Sequence, residues 1–96
     1  MNLSDVKKSL AKRKPELIQK YKIKSLGIFG SYVRGEQTKK SDLDVLVEFS
    51  ETPSLLDFVG MKDELAKLLG LKVDLVMKSA LRKRIGQSIL REVVPV

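Results

Sequence analysis

Apolar positions recur along the chain in two rhythms. Over NLSDVKKSLAKR, Leu3, Val6 and Leu10 stand near helical spacing, and Ser4 is placed to cap the helix at its start. Pro15 predicts the end of that helix and the beginning of a second, short one over PELIQKY, because proline suits a first turn but not a helix interior. The rhythm then shortens. Residues 23–30, IKSLGIFG, carry Ile23, Leu26, Ile28 and Phe29 in a brief run closed by a glycine, which predicts a first strand. Residues 42–49, DLDVLVEF, predict a second strand whose inner half is nearly all apolar, as in a strand covered on both faces. The intervening SYVRGEQTKKS is too short for a crossover helix but long enough for one helical turn and a loop.

Ser54 opens a strong helix, with Asp57 three residues later in a relation like that of a capping box. Leu55, Leu56, Val59, Leu65, Leu68 and Leu69 form its expected apolar stripe, and Gly70 is its natural stop. LKVDLVMK, residues 71–78, predicts a third strand with Leu71, Val73, Leu75 and Met77 on one side and Lys72, Asp74, Val76 and Lys78 on the other. A basic helix is expected over roughly 80–92, and VVPV closes the chain as a tail or an edge strand. With no repeats and no linker, residues 1–96 are expected to form a single domain. Its predicted class is α/β, a small sheet layered with three to five helices.

Composition narrows the chemistry. The chain has no cysteine and no histidine, which excludes disulfides, thiolate sites and imidazole bases. Ionic work falls to carboxylates, lysines, arginines and hydroxyls, a repertoire that suits a hard, oxygen-seeking ion such as Mg²⁺. The net charge of +7 favours anionic partners, yet two Tyr and three Phe supply a poor platform for stacking single-stranded nucleic acid. No run is long enough to span a bilayer, and MNLSDVKKSLAKRK lacks the apolar core of a signal peptide, so a cytoplasmic location is expected.

Against this background two aspartates break a local rule. Asp42 and Asp44 share one face of the second strand, roughly 7 Å apart, although aspartate is depleted in strands. Two carboxylates that close repel unless a cation lies between them. One reading is structural, with Asp42 capping the loop and Asp44 paired to a lysine of TKK. A calcium loop is excluded, since Leu46 stands where a third oxygen ligand would be needed. Asp74 favours chemistry: it is the only acidic residue of the third strand, and the preceding helix is long enough to return that strand beside the second. Carboxylates converging from two neighbouring strands suit one or two Mg²⁺ ions.

A site of this kind calls for a phosphate-bearing ligand. Gly30 allows close backbone approach, the amides around Gly30 and Ser31 offer donors, Ser31 adds a hydroxyl and Arg34 a planar cation. Neither common nucleotide fingerprint fits. Gly30 and Gly35 have P-loop spacing, but Glu36 and Gln37 occupy the essential Lys and Ser/Thr positions, and no G-x-G-x-x-G occurs.

GSYVRG, then SDLDVLVEF, then KVDLV, resembles the minimal nucleotidyltransferases of the DNA polymerase beta superfamily, over about residues 23–92. Every acidic element of that pattern is present; Val33 alone stands where small residues are frequent. The resemblance implies the polymerase beta-like nucleotidyltransferase fold, a small mixed sheet with flanking helices. It also implies that Gly30 and Ser31 bind the triphosphate of ATP, that Asp42 and Asp44 hold Mg²⁺, and that Asp74 completes the metal site and helps the attacking hydroxyl lose its proton. Arg34 either contacts phosphate or ties the loop to an acidic neighbour. The implied reaction is transfer of AMP from ATP to a hydroxyl. Larger superfamily members carry added domains for their acceptors, and proteins of the minimal kind are similar to the antitoxins of HEPN/MNT toxin–antitoxin pairs. The implied acceptor is therefore a tyrosine of a HEPN-domain toxin. The alternatives are a nucleotide-binding antitoxin that only covers its partner, and an RNA-binding protein using the RKR at 82–84 and the KRK at 12–14. Direct nucleic-acid binding is not expected, since those runs read more simply as solvated helix faces.

Overall fold

The structure, a computed structural model, describes residues 1–96. Four helices and four strands follow in the order α1 (Leu3–Tyr21), β1 (Ile23–Phe29), α2 (Ser31–Arg34), β2 (Leu43–Phe49), α3 (Leu55–Leu69), β3 (Val73–Met77), α4 (Lys83–Glu92) and β4 (Val94–Pro95). The strands form one mixed sheet in the order β3-β2-β1-β4. β1 is antiparallel to both β2 and β4, whereas β2 and β3 are parallel, joined by the α3 crossover. The α/β reading and the mixed sheet are thus observed, and the closing VVPV is an edge strand rather than a tail.

One correction concerns the first helix. It does not stop at Pro15 but runs unbroken for 19 residues, and its N-cap is Asn2, whose Oδ1 accepts the Asp5 N–H at 2.9 Å, rather than Ser4. Pro15 deletes the hydrogen bond to the Ala11 carbonyl and costs about 3 kcal/mol in a helix interior. Both residues are solvent-exposed, so water can serve that carbonyl. On either side Leu10 and Leu17 are completely buried, each contributing about 1.5–3 kcal/mol, which offsets the break.

A second correction concerns α3. Ser54 is its N-cap as expected, with Oγ accepting the Asp57 N–H at 3.1 Å, and Gly70 ends it in a left-handed conformation with φ of 65°. The buried line, however, is Met61, Leu65 and Leu69, while Leu55 and Leu56 are 79% and 83% exposed. At about 100° per residue, Leu55, Leu56 and Val59 lie well round the helix from Met61.

α1 and α3 cover one face of the sheet. Val6, Leu10 and Leu17 from α1, Met61 and Leu65 from α3, Leu26 and Ile28 from β1, and Leu43, Val45 and Val47 from β2 belong to a single apolar cluster. No polar or charged residue is buried in it. At the edge of the sheet β4 closes tightly on β1: a side chain at Gly27 would meet Val93 Cγ2 at 2.5 Å. No helix is long and apolar enough to cross a membrane.

Candidate functional site

The residues singled out in the sequence gather where β1 ends and where β2 and β3 begin. Antiparallel pairing sets Phe29 opposite Asp44, so Gly30 follows directly beside that carboxylate. Parallel pairing sets Asp44 opposite Asp74, and Asp42 lies two residues before Asp44 on the approach to β2. Strand alternation turns Leu43, Val45 and Val47 toward the helices and therefore sends Asp44 the other way.

Gly30 is tied to this arrangement by two facts. Its φ of 81° and ψ of −152° lie in a region that is essentially restricted to glycine. The place where its Cβ would stand is taken by the Asp44 carboxylate, with Oδ2 as the nearest atom. Ser31 then begins the single turn of α2, held by Val33 and Arg34 N–H donations to the Gly30 carbonyl at 3.1 and 3.2 Å. Gly35, at φ of 71°, ends it. The predicted turn and loop between the first two strands are thus present.

Asp44 is half-buried, whereas Asp42 and Asp74 are exposed. The Asp44 carboxyl is pushed above its ordinary value, first by burial, then by the charges of Asp74 and Asp42, and Glu92 adds to the effect while Arg34 opposes it. None of the three aspartates makes a side-chain hydrogen bond or a salt bridge. This removes the structural reading in which Asp42 caps the loop and Asp44 pairs with a lysine. The loop is closed instead by Thr38 and Ser41, the Thr38 N–H donating to Ser41 Oγ at 2.8 Å. The carboxylates share one end of the sheet but do not close into a preformed cage. They lie on an open surface; a groove of about 360 Å³ occupies the other ends of β2 and β3, at Val47–Phe49 and Met77–Ser79.

Arg34 is engaged by acids on both sides. Its Nε donates to Glu36 Oε1 at 2.7 Å and its Nη1 to Glu92 Oε1 at 2.5 Å, and these two hydrogen bonds, Glu36 first, raise its pKa. Of the two roles left open for Arg34, the tie to acidic neighbours is the one seen here. Glu92 was not anticipated as part of this end of the molecule. The available signal was that it is the only acidic residue in LRKRIGQSILRE, residues 81–92.

Comparison with known proteins bears on the family to which the chain belongs. The nucleotidyltransferase domain family matches residues 10–95. The protein adenylyltransferase MntA of Thermococcus cleftensis is 48% identical over 94 residues, which are 98% of this chain and 95% of that protein. A solved structure described as a candidate minimal nucleotidyltransferase superposes with a TM-score of 0.79 at 36% identity, covering 100% of this chain and 97% of the other. The same fold occurs, with a TM-score of 0.70 at 21% identity over 94% of this chain and 70% of the other, in a complex of a tri-AMPylated Shewanella oneidensis HEPN toxin with its MNT antitoxin. A family match across nearly the whole chain, together with the glycine-serine turn and the aspartates set opposite one another on β2 and β3, has one meaning: the chain belongs to the nucleotidyltransferase domain family.

Proposed function

We propose that this protein is an adenylyltransferase that moves AMP from ATP to a tyrosine hydroxyl of a HEPN-domain toxin and thereby acts as its antitoxin in the cytoplasm. The observation that carries the reading is the set of three aspartates that form no salt bridge, one of them packed against the backbone of Gly30. An all-oxygen, negatively charged donor set fits a hard divalent ion, and Asp42, Asp44 and Asp74 would hold Mg²⁺. When bound, the metal would supply neutralisation of the phosphate charge and of the developing phenoxide.

The chain's own residues do the remaining work. Gly30 brings backbone to the triphosphate without a side chain in the way, and the Ser31 hydroxyl and turn amides donate to its oxygens. Asp44, packed against Gly30, would hold the metal beside that grip. Asp74, more exposed and on the far side of β2 from Gly30, faces the incoming hydroxyl and takes up its proton. The tyrosine oxygen forms a bond to the α-phosphorus as the bond to the bridging oxygen of pyrophosphate breaks. The products are the AMP–tyrosine ester, pyrophosphate and a proton. Arg34 would exchange a carboxylate partner for a phosphate oxygen. The likeness in name to an adenylyltransferase and in fold to an antitoxin bound to an AMPylated toxin supports both acceptor and role.

The test is intact-mass spectrometry of this protein mixed with the product of the neighbouring gene, in Mg²⁺ and ATP. Adducts of AMP mass are expected on the partner and should be absent with Asp42→Asn, Asp44→Asn or Asp74→Asn. Inhibition of the partner without any mass change, equal for all three variants, would replace this reading by simple occlusion.

A further inference from the structure

Beside the aspartates, on the β3 side, the chain holds a cleft of about 420 Å³ lined by Lys39, Lys40, Ser41, Gly70, Leu71 and Lys72. Three ammonium groups line it, and none of them forms a salt bridge. Asp42 follows Lys40 by two residues and Asp74 follows Lys72 by two, yet neither carboxylate is paired with these lysines.

The cleft has a firm frame. Lys39 and Lys40 sit within the Thr38–Ser41 turn, which is closed by the Ser41 N–H to the Thr38 carbonyl at 3.1 Å and by the Thr38 N–H to Ser41 Oγ at 2.8 Å. Lys72 is held from the other side, where its carbonyl accepts the Leu43 N–H at 2.8 Å. Sheet order decides which reactant meets it. β1, ending at Gly30, lies on one side of β2, and β3 lies on the other. An in-line displacement needs the leaving pyrophosphate and the attacking oxygen on opposite sides of the phosphorus. With the triphosphate grip at Gly30, the acceptor approaches from β3, over the lysines.

We propose that the Lys39–Lys40–Lys72 cleft is the acceptor subsite and takes an acidic peptide segment, with glutamates or aspartates flanking the reactive hydroxyl. The assignment of the cleft to the acceptor rests on the transferase reading above. Three cations that meet no internal anion match carboxylates on a partner and steer their approach. None of the six lining residues is aromatic, so the cleft has no face on which a nucleobase could stack, and a peptide rather than RNA is its occupant.

The test uses the full chain with Mg²⁺ and a non-hydrolysable ATP analogue, so that binding is read without turnover. Two labelled nine-residue peptides with a central tyrosine are compared by fluorescence anisotropy, one flanked by glutamates and one by glutamines. The glutamate peptide should bind about tenfold more tightly, the size three exposed charge pairs imply. Lys39→Gln/Lys40→Gln/Lys72→Gln should abolish that preference and Lys39→Glu/Lys40→Glu/Lys72→Glu should reverse it, while affinity of the Gln variant for the ATP analogue stays unchanged as a check on folding. Equal affinity for the two peptides, or a preference that survives the triple variants, overturns the proposal; so does a nine-nucleotide RNA that displaces the glutamate peptide at lower concentration than the peptide itself binds. Preference for the glutamate peptide in a chain that never transfers AMP keeps the anionic-peptide site but sinks the transferase reading. Transfer of AMP without the preference does the reverse.

Discussion

The two faces of β2 are built from neighbouring residues and obey opposite rules. Leu43, Val45 and Val47 have no exposed surface and join both long helices in one apolar cluster. Asp44, between the first two, faces away with a raised pKa and no partner. The period of two lets one strand carry cohesion on one side and uncompensated charge on the other, one residue apart. Stability and chemistry are therefore separable at single positions.

The sharpest way to break the comparison is on the charged side. Asp44→Asn should lower AMP transfer by roughly three orders of magnitude, about 4 kcal/mol, because on the proposed reading it removes a metal ligand. Its metal-free melting temperature should equal or exceed that of the wild type. A large drop in melting temperature would make Asp44 a structural residue after all. On the other side, Leu43→Ala should cost about 2–5 kcal/mol in urea unfolding, the range for a truncated core leucine, with residual activity in the folded fraction. Gly30 lies where the faces meet, and Gly30→Ala should cost about 1–3 kcal/mol through its backbone conformation alone. Because the added methyl also displaces the Asp44 carboxylate, nucleotide and metal binding should weaken together in isothermal titration; retention of either at full strength would argue against their contact.

The smallest effect sharpens the same contrast through pH. Asp44 is raised above its ordinary 3.8 by burial and by Asp74 and Asp42, so its ionisation opposes folding. That contribution to stability is complete below pH 3.8 and is lost as pH rises through the raised folded value. In metal-free buffer the wild type should thus fall behind Asp44→Asn as pH climbs from below 3.8, and the difference should then level off. Urea midpoints across that range measure it, and a difference independent of pH would rule out ionisation as its cause.

The convergence of the candidate site residues was more legible in the sequence than the helices around it. Asp42, Asp44 and Asp74 contradict strand propensity inside otherwise apolar runs, and such a contradiction is visible without knowing the fold. Pro15 misled because its penalty is local, whereas the burial of Leu10 and Leu17 that overrides it is tertiary. Leu55 and Leu56 misled because a leucine at a helix start reads the same whether it meets the core or solvent. The ion pair of Arg34 with Glu92 spans 58 residues, and no spacing rule reaches that far.

β3 has a second consequence. It is one of the two outer strands of the sheet, five residues long, with one row of backbone donors and acceptors open to other chains. Lys72 and Lys78 bracket it, and Asp74 interrupts its apolar run of Val73, Leu75 and Val76. Stacking such strands in register would set each charge upon its own copy. The carboxylate proposed for proton uptake thus also guards the sheet edge against self-association, and replacing Asp74 by valine would remove the proposed reactive group and expose an aggregation-prone segment in one step.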